Sequence, residues 1–463
     1  MPPPDTKTDT EIATDIETTP WLGAGEVLVH IGVPKTGSTA IQQSMTASRA
    51  SMAEQGVVYP DLGGSNHYVA ALTVLGRSAR WDKTGAVDDE RWRQLMQAVA
   101  DQPPEAKVIL SAEILCEAGP EIVQRIVDDI GRDRVRILLT LRSLESLIPS
   151  TWQQYVKAGS SFDYETWLRD MMRGSGNTSE TPSFWRRNNH GRLVERWSKA
   201  VGADRVAVAV IEGGDRRSIY DLFEDIIGLR RDTLQPMSET NRSLSANEVE
   251  LLRRVNEQLG DKIRHRSYDR IIRRHAVRGL VERRTPGDDE PRLFVPEWAA
   301  TKAREFGREA VGRIEATGVR VFGPLSALVP DGPTRSDPLP SADVVPVEAA
   351  ALLVTSMFDG ATSEVDKERA KMKRLSASAA RVADEVDKER AKMKRLRASA
   401  ARVADELDKE RAKVRRLRAS AARVADELAA RTAGPPPMVP RIRNRLRRDR
   451  RRLVGAFRER LAR

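Results

Sequence analysis

The sequence predicts an α/β fold, a parallel sheet flanked by helices, followed by a long coiled-coil helix and a basic amphipathic tail. Three observations carry that expectation: buried-looking β-branched runs separated by helical patterns, a 21-residue repeat late in the chain, and an arginine-rich end. Residues 1–21 are rich in Thr, Pro and Asp and read as disordered, because such a composition cannot repay the entropy of ordering. The first twenty carry five acidic groups and one Lys, which is unlike a secretory leader. The runs Val27–Ile31, Lys107–Ser111, Val135–Leu141 and Arg205–Ile211 read as buried strands. Helical patterns cover Thr39–Gln55, Glu121–Ile130, Glu145–Ala158, Ser218–Ile227, Ser245–Gly260 and Trp298–Thr317.

The globular unit is expected to span residues 22–329. It closes where Pro330, Pro333, Pro338, Pro340 and Pro346 mark a linker, which together with a short helix occupies 330–363. The apolar run Val347–Phe358 is interrupted by Glu348 and is too short to cross a bilayer.

Residues 364–428 follow as three nearly identical copies of 21 residues, each three heptads long. Val365, Met372, Ala379, Val386, Met393, Ala400, Leu407, Val414, Ala421 and Leu428 occupy one seam position. Leu375, Val382, Leu396, Val403, Leu417 and Val424 occupy its companion, where Glu368, Glu389 and Glu410 interrupt. This is the pattern of a coiled coil ~98 Å long, and it predicts self-association as a dimer or trimer. A lone charged helix is the plainer alternative. Gly434 and Pro435–Pro437 stop the helix, opening a last segment, 429–463, that ends in a tail with 11 Arg between Val439 and Arg463. On a helical projection its apolar residues share one face, so residues 439–463 suit an anionic membrane surface or another polyanion, or form a merely solvated basic end.

The formal charge of +11 is unevenly placed. Residues 364–463 hold 32 basic and 15 acidic side chains, a net of +17, leaving a net of −6 on residues 1–363. An argument for polyanion binding therefore applies to the C-terminal hundred residues. The single Cys116 excludes an internal disulfide framework and a Cys-based zinc site, and it points to a reducing, cytoplasmic setting, with peripheral attachment at the inner membrane face through the tail.

The segment richest in chemistry runs from Val27 through Ile31, Gly32, Val33, Pro34, Lys35, Thr36, Gly37, Ser38 and Thr39. A strand, a loop with two glycines and a helix start aim unpaired backbone N–H groups and a positive helix end at one point, which is how proteins hold phosphate. Lys35 precedes Gly37, whereas a Walker A lysine directly follows its second Gly.

At these residues the sequence resembles the sulfotransferases that use 3′-phosphoadenosine 5′-phosphosulfate. Pro34–Thr39 match that family's 5′-phosphosulfate loop. Arg142, after a later strand, and Ser150, eight residues on, match its 3′-phosphate pair. The resemblance covers about residues 25–328, with Asn241-Arg-Ser-Leu-Ser ahead of a helix, and does not reach the repeats or the tail. Pro149 is unusual inside a helix and predicts that the helix proper begins there.

The resemblance implies transfer of a sulfuryl group to a hydroxyl or amine of a glycan, glycolipid or small metabolite, without a metal. Pro34, Lys35, Thr36, Gly37, Ser38, Thr39, Arg142 and Ser150 would bind the donor, and Lys35 would stabilise charge on the leaving oxygen. A base must take the acceptor proton, and two candidates stand: His67, on a polar segment, and Glu113, just past the strand Lys107–Ser111. His30 reads as a core histidine, and His190, His265 and His275 show no metal spacing. The basic stretch Lys262–Arg284 fits a solvated helix face better than an acceptor channel. The rival functional readings are a catalytically inactive nucleotide-binding scaffold assembled through its repeats and a nucleotide-dependent kinase, the latter disfavoured by the missing Walker lysine.

Overall fold

The computed structural model describes residues 20–64, 67–77, 89–173, 183–212, 217–236, 242–334 and 344–432. The basic tail, Asn241 and nearly all of the N-terminal segment read as disordered lie outside these residues. Six strands form one sheet: β1 (Val27–His30), β2 (Val57–Val58), β3 (Lys107–Ser111), β4 (Val135–Leu141), β5 (Val206–Val210) and β6 (Arg320–Phe322). Their order is β2-β3-β1-β4-β5-β6, and every neighbouring pair is parallel.

Successive side chains on a strand point to opposite faces, and both faces are covered. Val27, Val29, Val108, Leu110, Ile137, Leu139 and Val208 belong to one buried cluster. Leu28, Ile109, Leu138, Ala207 and Ala209 belong to another, with Met45 and Phe223. That is why the four central strands read as continuous apolar runs. β2 and β6, two and three residues long on the two edges, carry no such run and were not expected.

The helices are α1 (Ser38–Ala47), α2 (Arg49–Ala53), α3 (Tyr68–Val74), α4 (Glu90–Ala100), α5 (Pro120–Ile130), α6 (Leu144–Lys157), α7 (Tyr164–Met172), α8 (Phe184–Asn188), α9 (His190–Val201), α10 (Arg217–Ile227), α11 (Ala246–Leu259), α12 (His265–Tyr268), α13 (Arg278–Arg283), α14 (Glu297–Thr317) and α15 (Val347–Thr432). A nine-residue π-helix, Asp269–Val277, joins α12 to α13. The pattern read as one helix over Thr39–Gln55 breaks at Ser48, whose hydroxyl donates to the Thr233 carbonyl at 2.8 Å.

Pro149 does not start its helix. α6 begins at Leu144, where the Ser143 side chain caps the Ser146 N–H, and Pro149 sits in the second turn. The cap satisfies a donor ahead of the proline, so the helix is nucleated upstream of it. Trp21, placed in the segment read as disordered, is buried, with its ring beside Phe322 and the Arg136 guanidinium.

The chain divides into two compact units after Asp366. Within the first, the opening turns of α15 bury Ala349, Leu353, Ser356 and Gly360. A Cβ on Gly279 would collide with Ser356, and one on Gly360 would lie 3.0 Å from His275, so this helix root seats closely on α13 and the π-helix. Arg270 and Glu364 form an ion pair there.

Candidate functional site

The carboxyl ends of β1, β3 and β4 lie side by side, because β1 sits between the other two. Ligands of parallel sheets bind beyond such ends. The loop after β1 is fastened to the end of β4: the Val33 N–H donates to the Thr140 carbonyl, and the Thr140 N–H donates to the Gly32 carbonyl, both at 2.7 Å. The phosphate-type loop and Arg142 are thereby held on adjacent strands.

β1, β3 and β4 each place one polar residue on the same face near the carboxyl end: His30, Ser111 and Thr140. The His30 ring bridges the Ser111 hydroxyl at 2.8 Å and the Thr140 hydroxyl at 3.1 Å. Burial pushes the His30 pKa down to about 4, so the ring is neutral at physiological pH. Thr140 also bonds the Thr36 hydroxyl at 2.6 Å, and Thr36 donates to the Val33 carbonyl at 2.7 Å. The Thr36 side chain thus ties the loop to the end of β4. On the other flank the Gln42 amide donates to Ser111 and to a Glu113 carboxylate oxygen, both at 3.0 Å. One hydrogen-bonded chain thus runs from Glu113 beneath the loop to Thr36.

The upper surface of the loop is different. Lys35 adopts φ 73° and Gly37 φ 88°, both left-handed, the backbone type from which anion-holding concavities of N–H groups are built. α1 has no side-chain cap at Gly37, and among the described residues the buried Ser38 hydroxyl has no hydrogen-bond partner. Among the described residues, the N–H groups of Lys35–Thr39 donate to no protein acceptor. Arg142 behaves similarly: it joins no ion pair among those residues, and its buried Nε has no partner. Desolvation lowers its pKa. Orphaned buried donors are costly; Ser38 opens α1 in the loop after β1, and Arg142 directly follows β4 on the adjacent strand. Ser150, eight residues beyond Arg142 in α6, is half-buried and donates to its own helix at the Leu147 carbonyl, 3.0 Å away.

The Lys35 ammonium donates to the Gln154 side-chain oxygen at 2.8 Å. Gln154 lies one turn past Ser150, on the same face of α6. Burial pushes the Lys35 pKa down to about 8, opposed by the Glu113 carboxylate and aided by the Arg273 charge. Lys157, on the next turn, is also pushed down to about 8, by burial and then by the charges of Lys35 and Arg242. Gly32, with φ 80°, permits the approach of Glu113: a Cβ at position 32 would lie 2.7 Å from the Glu113 Cβ.

His67 is buried, and both ring nitrogens are engaged by backbone. Nδ1 accepts from the Ser111 N–H at 3.1 Å, and Nε2 lies 3.0 Å from the Pro60 carbonyl. Burial pushes its pKa down to about 4. Both bonds are made by neutral imidazole, so no nitrogen is left to receive a proton.

In the basic stretch Lys262–Arg284, Arg273 and Arg274 pair with Asp269, Arg278 with Glu282, and Arg284 with Glu248 and Glu290. Arg242, next to Asn241, holds Glu248 through two bonds of 2.7 and 2.8 Å and so anchors the start of α11. Gln42, Gln154 and Lys157 were not singled out from sequence, and no motif marks them there.

The crystal structure of a sulfotransferase from Alicyclobacillus acidocaldarius is similar to this chain at a TM-score of 0.34 and 13% identity, covering 52% of this chain and 98% of that one. The likeness is distant. No protein-family model and no curated protein matches.

Proposed function

We propose that this chain is a sulfotransferase that moves a sulfuryl group from 3′-phosphoadenosine 5′-phosphosulfate to a hydroxyl or amine of a glycan, glycolipid or small metabolite. The observation that carries the reading is the set of donors without a partner among the described residues: the Ser38 hydroxyl and Arg142 Nε, with the Lys35–Thr39 N–H groups. They suit an ester with one anionic group at each end of its nucleoside. The phosphosulfate would lie over the loop, against the N–H groups, Ser38 and the positive end of α1. The 3′-phosphate would take the Arg142 fork and recruit Ser150 from Leu147.

Sulfuryl transfer, like phosphoryl transfer, depends on positioning and on charge placed where it develops. Lys35, held by Gln154, would meet the charge growing on the leaving phosphate oxygen. Glu113 would take the acceptor proton. Gln42 holds one of its oxygens, and the other accepts no hydrogen bond among the described residues. His67 is less suited, since its nitrogens are already used.

The test is incubation of the protein with 35S-labelled donor and fractionated extract, with calorimetry using adenosine 3′,5′-bisphosphate beside it. Saturable heat and label in a lipid, polysaccharide or small-molecule fraction support the reading. Absence of both refutes it, and heat without label converts it to the scaffold.

A further inference from the structure

The apolar seam of the repeats is bare along its whole length. From Val365 to Leu428 its large side chains are exposed, between 44% at Val386 and 66% at Met372. A helix with such a stripe is incomplete without a second element to cover it. We propose that the cover is a second copy of this chain running antiparallel, in the register that sets Met372 against the partner's Leu417.

The choice of direction rests on where the seam's glutamates and alanines fall. In a parallel pair in register, each seam position meets itself, so Glu368, Glu389 and Glu410 would each face the same residue of the partner. Like charges would then oppose one another in three layers. Sliding the parallel pair by one heptad only moves each Glu against a large apolar residue and each Ala against Val, Met or Leu. Running antiparallel, the first seam position meets the companion position. With Met372 against the partner's Leu417, Met393 meets the partner's Leu396, Val386 meets the partner's Val403, and Val365 meets the partner's Val424.

In that same register every seam glutamate meets an alanine: Glu368 the partner's Ala421, Glu389 the partner's Ala400, and Glu410 the partner's Ala379. Large residues fill large layers, and the smallest side chain leaves room beside each carboxylate. Each of two carboxylates is met from its own helix, Glu389 by Lys392 at 3.6 Å and Glu410 by Lys413 at 3.8 Å. A slip of one heptad destroys the match, setting Glu389 against the partner's Met393 or the partner's Leu407. A slip of a full copy restores it but uncovers a copy at each end, so full overlap is favoured.

The flanks give an independent signature. The antiparallel register brings Arg390 near the partner's Arg397, a like-charge neighbour that salt screens, so association strengthens or holds as salt rises. A parallel pair would instead bring Glu385 near the partner's Arg390, and salt would weaken it.

Disulfide trapping in full-length protein tests the direction. Cys116 is buried and stays out of exchange. Variants Met372→Cys and Leu417→Cys are prepared singly, mixed, and equilibrated in a glutathione buffer. The expected result is a linked dimer only in the mixture. Self-linking of either variant alone overturns the proposal, as does a monomeric or trimeric mass by light scattering of the wild-type chain. Val365→Cys with Val424→Cys supplies a second pair, in case one substitution disturbs the helix. Rising salt is expected to leave the dimer fraction unchanged or larger, and a loss of dimer with salt counts against it.

Discussion

Beneath the loop after β1, the polar groups of His30, Ser111, Thr140, Thr36 and Gln42 are joined into one hydrogen-bonded chain. Above it, the Ser38 hydroxyl and Arg142 Nε are buried and unpartnered. The two surfaces are a few bonds apart and built from the same kinds of residue. Pairing beneath fixes where the loop lies, while the unmet donors above are the ones the proposed sulfuryl donor would take up. Substitutions should therefore separate them: below the loop they cost folding stability, above it they cost binding and turnover.

The largest expected effect is at Glu113. Glu113→Gln should lower turnover by ~10²–10⁴-fold at unchanged donor affinity, the range for losing a general base. His67→Gln should chiefly lower the melting temperature. If the two variants exchange behaviour in a coupled rate and melting assay, the base is His67.

Lys35→Ala should lower turnover by ~10²–10³-fold with little change in melting temperature. The wild-type rate should also fall as pH rises through about 8, where Lys35 loses its proton. Lys35→Arg, if active, should keep a flat profile there. The stability sign is opposite. The folded pKa of Lys35 lies below its unfolded value of 10.5, so the unfolded chain binds more protons between about 8 and 10.5, and folding stability from this group rises over that window.

Arg142→Ala should weaken adenosine 3′,5′-bisphosphate by ~10–100-fold in calorimetry, the worth of charged hydrogen bonds, without destabilising the apoprotein. The smallest effect on turnover and binding together should be at His30. His30→Ala removes one partner from each of the Ser111 and Thr140 hydroxyls, which keep Gln42 and Thr36, and should cost ~1–3 kcal/mol in denaturant unfolding while changing bisphosphate affinity less than Arg142→Ala.

The central strands were legible because parallel strands covered on both faces leave an unbroken apolar trace. The edges were not: Val57–Val58 is too short to show a period, and Arg320–Phe322 is half-exposed. The loop was read from its glycines and small hydroxyls after a strand and Arg142 from the family resemblance, and the structure sets the two on adjacent strands. Side-chain direction was not legible. Thr36 turns inward because Lys35 before it is left-handed, and no residue type announces that. Gln42 and Gln154 are ordinary helix residues until the fold brings Glu113 and Lys35 to them. His67 sits in a polar stretch yet is buried, since its ring ties the Ser111 N–H to the Pro60 carbonyl.

Because each copy in the repeats is a whole number of heptads, gaining or losing one leaves the apolar stripe in phase and the flanking sequence untouched. The helix can therefore grow or shrink by whole copies, in steps of ~32 Å at 1.5 Å per residue, without losing its stripe. Unequal exchange between near-identical copies would be a simple genetic route to such steps.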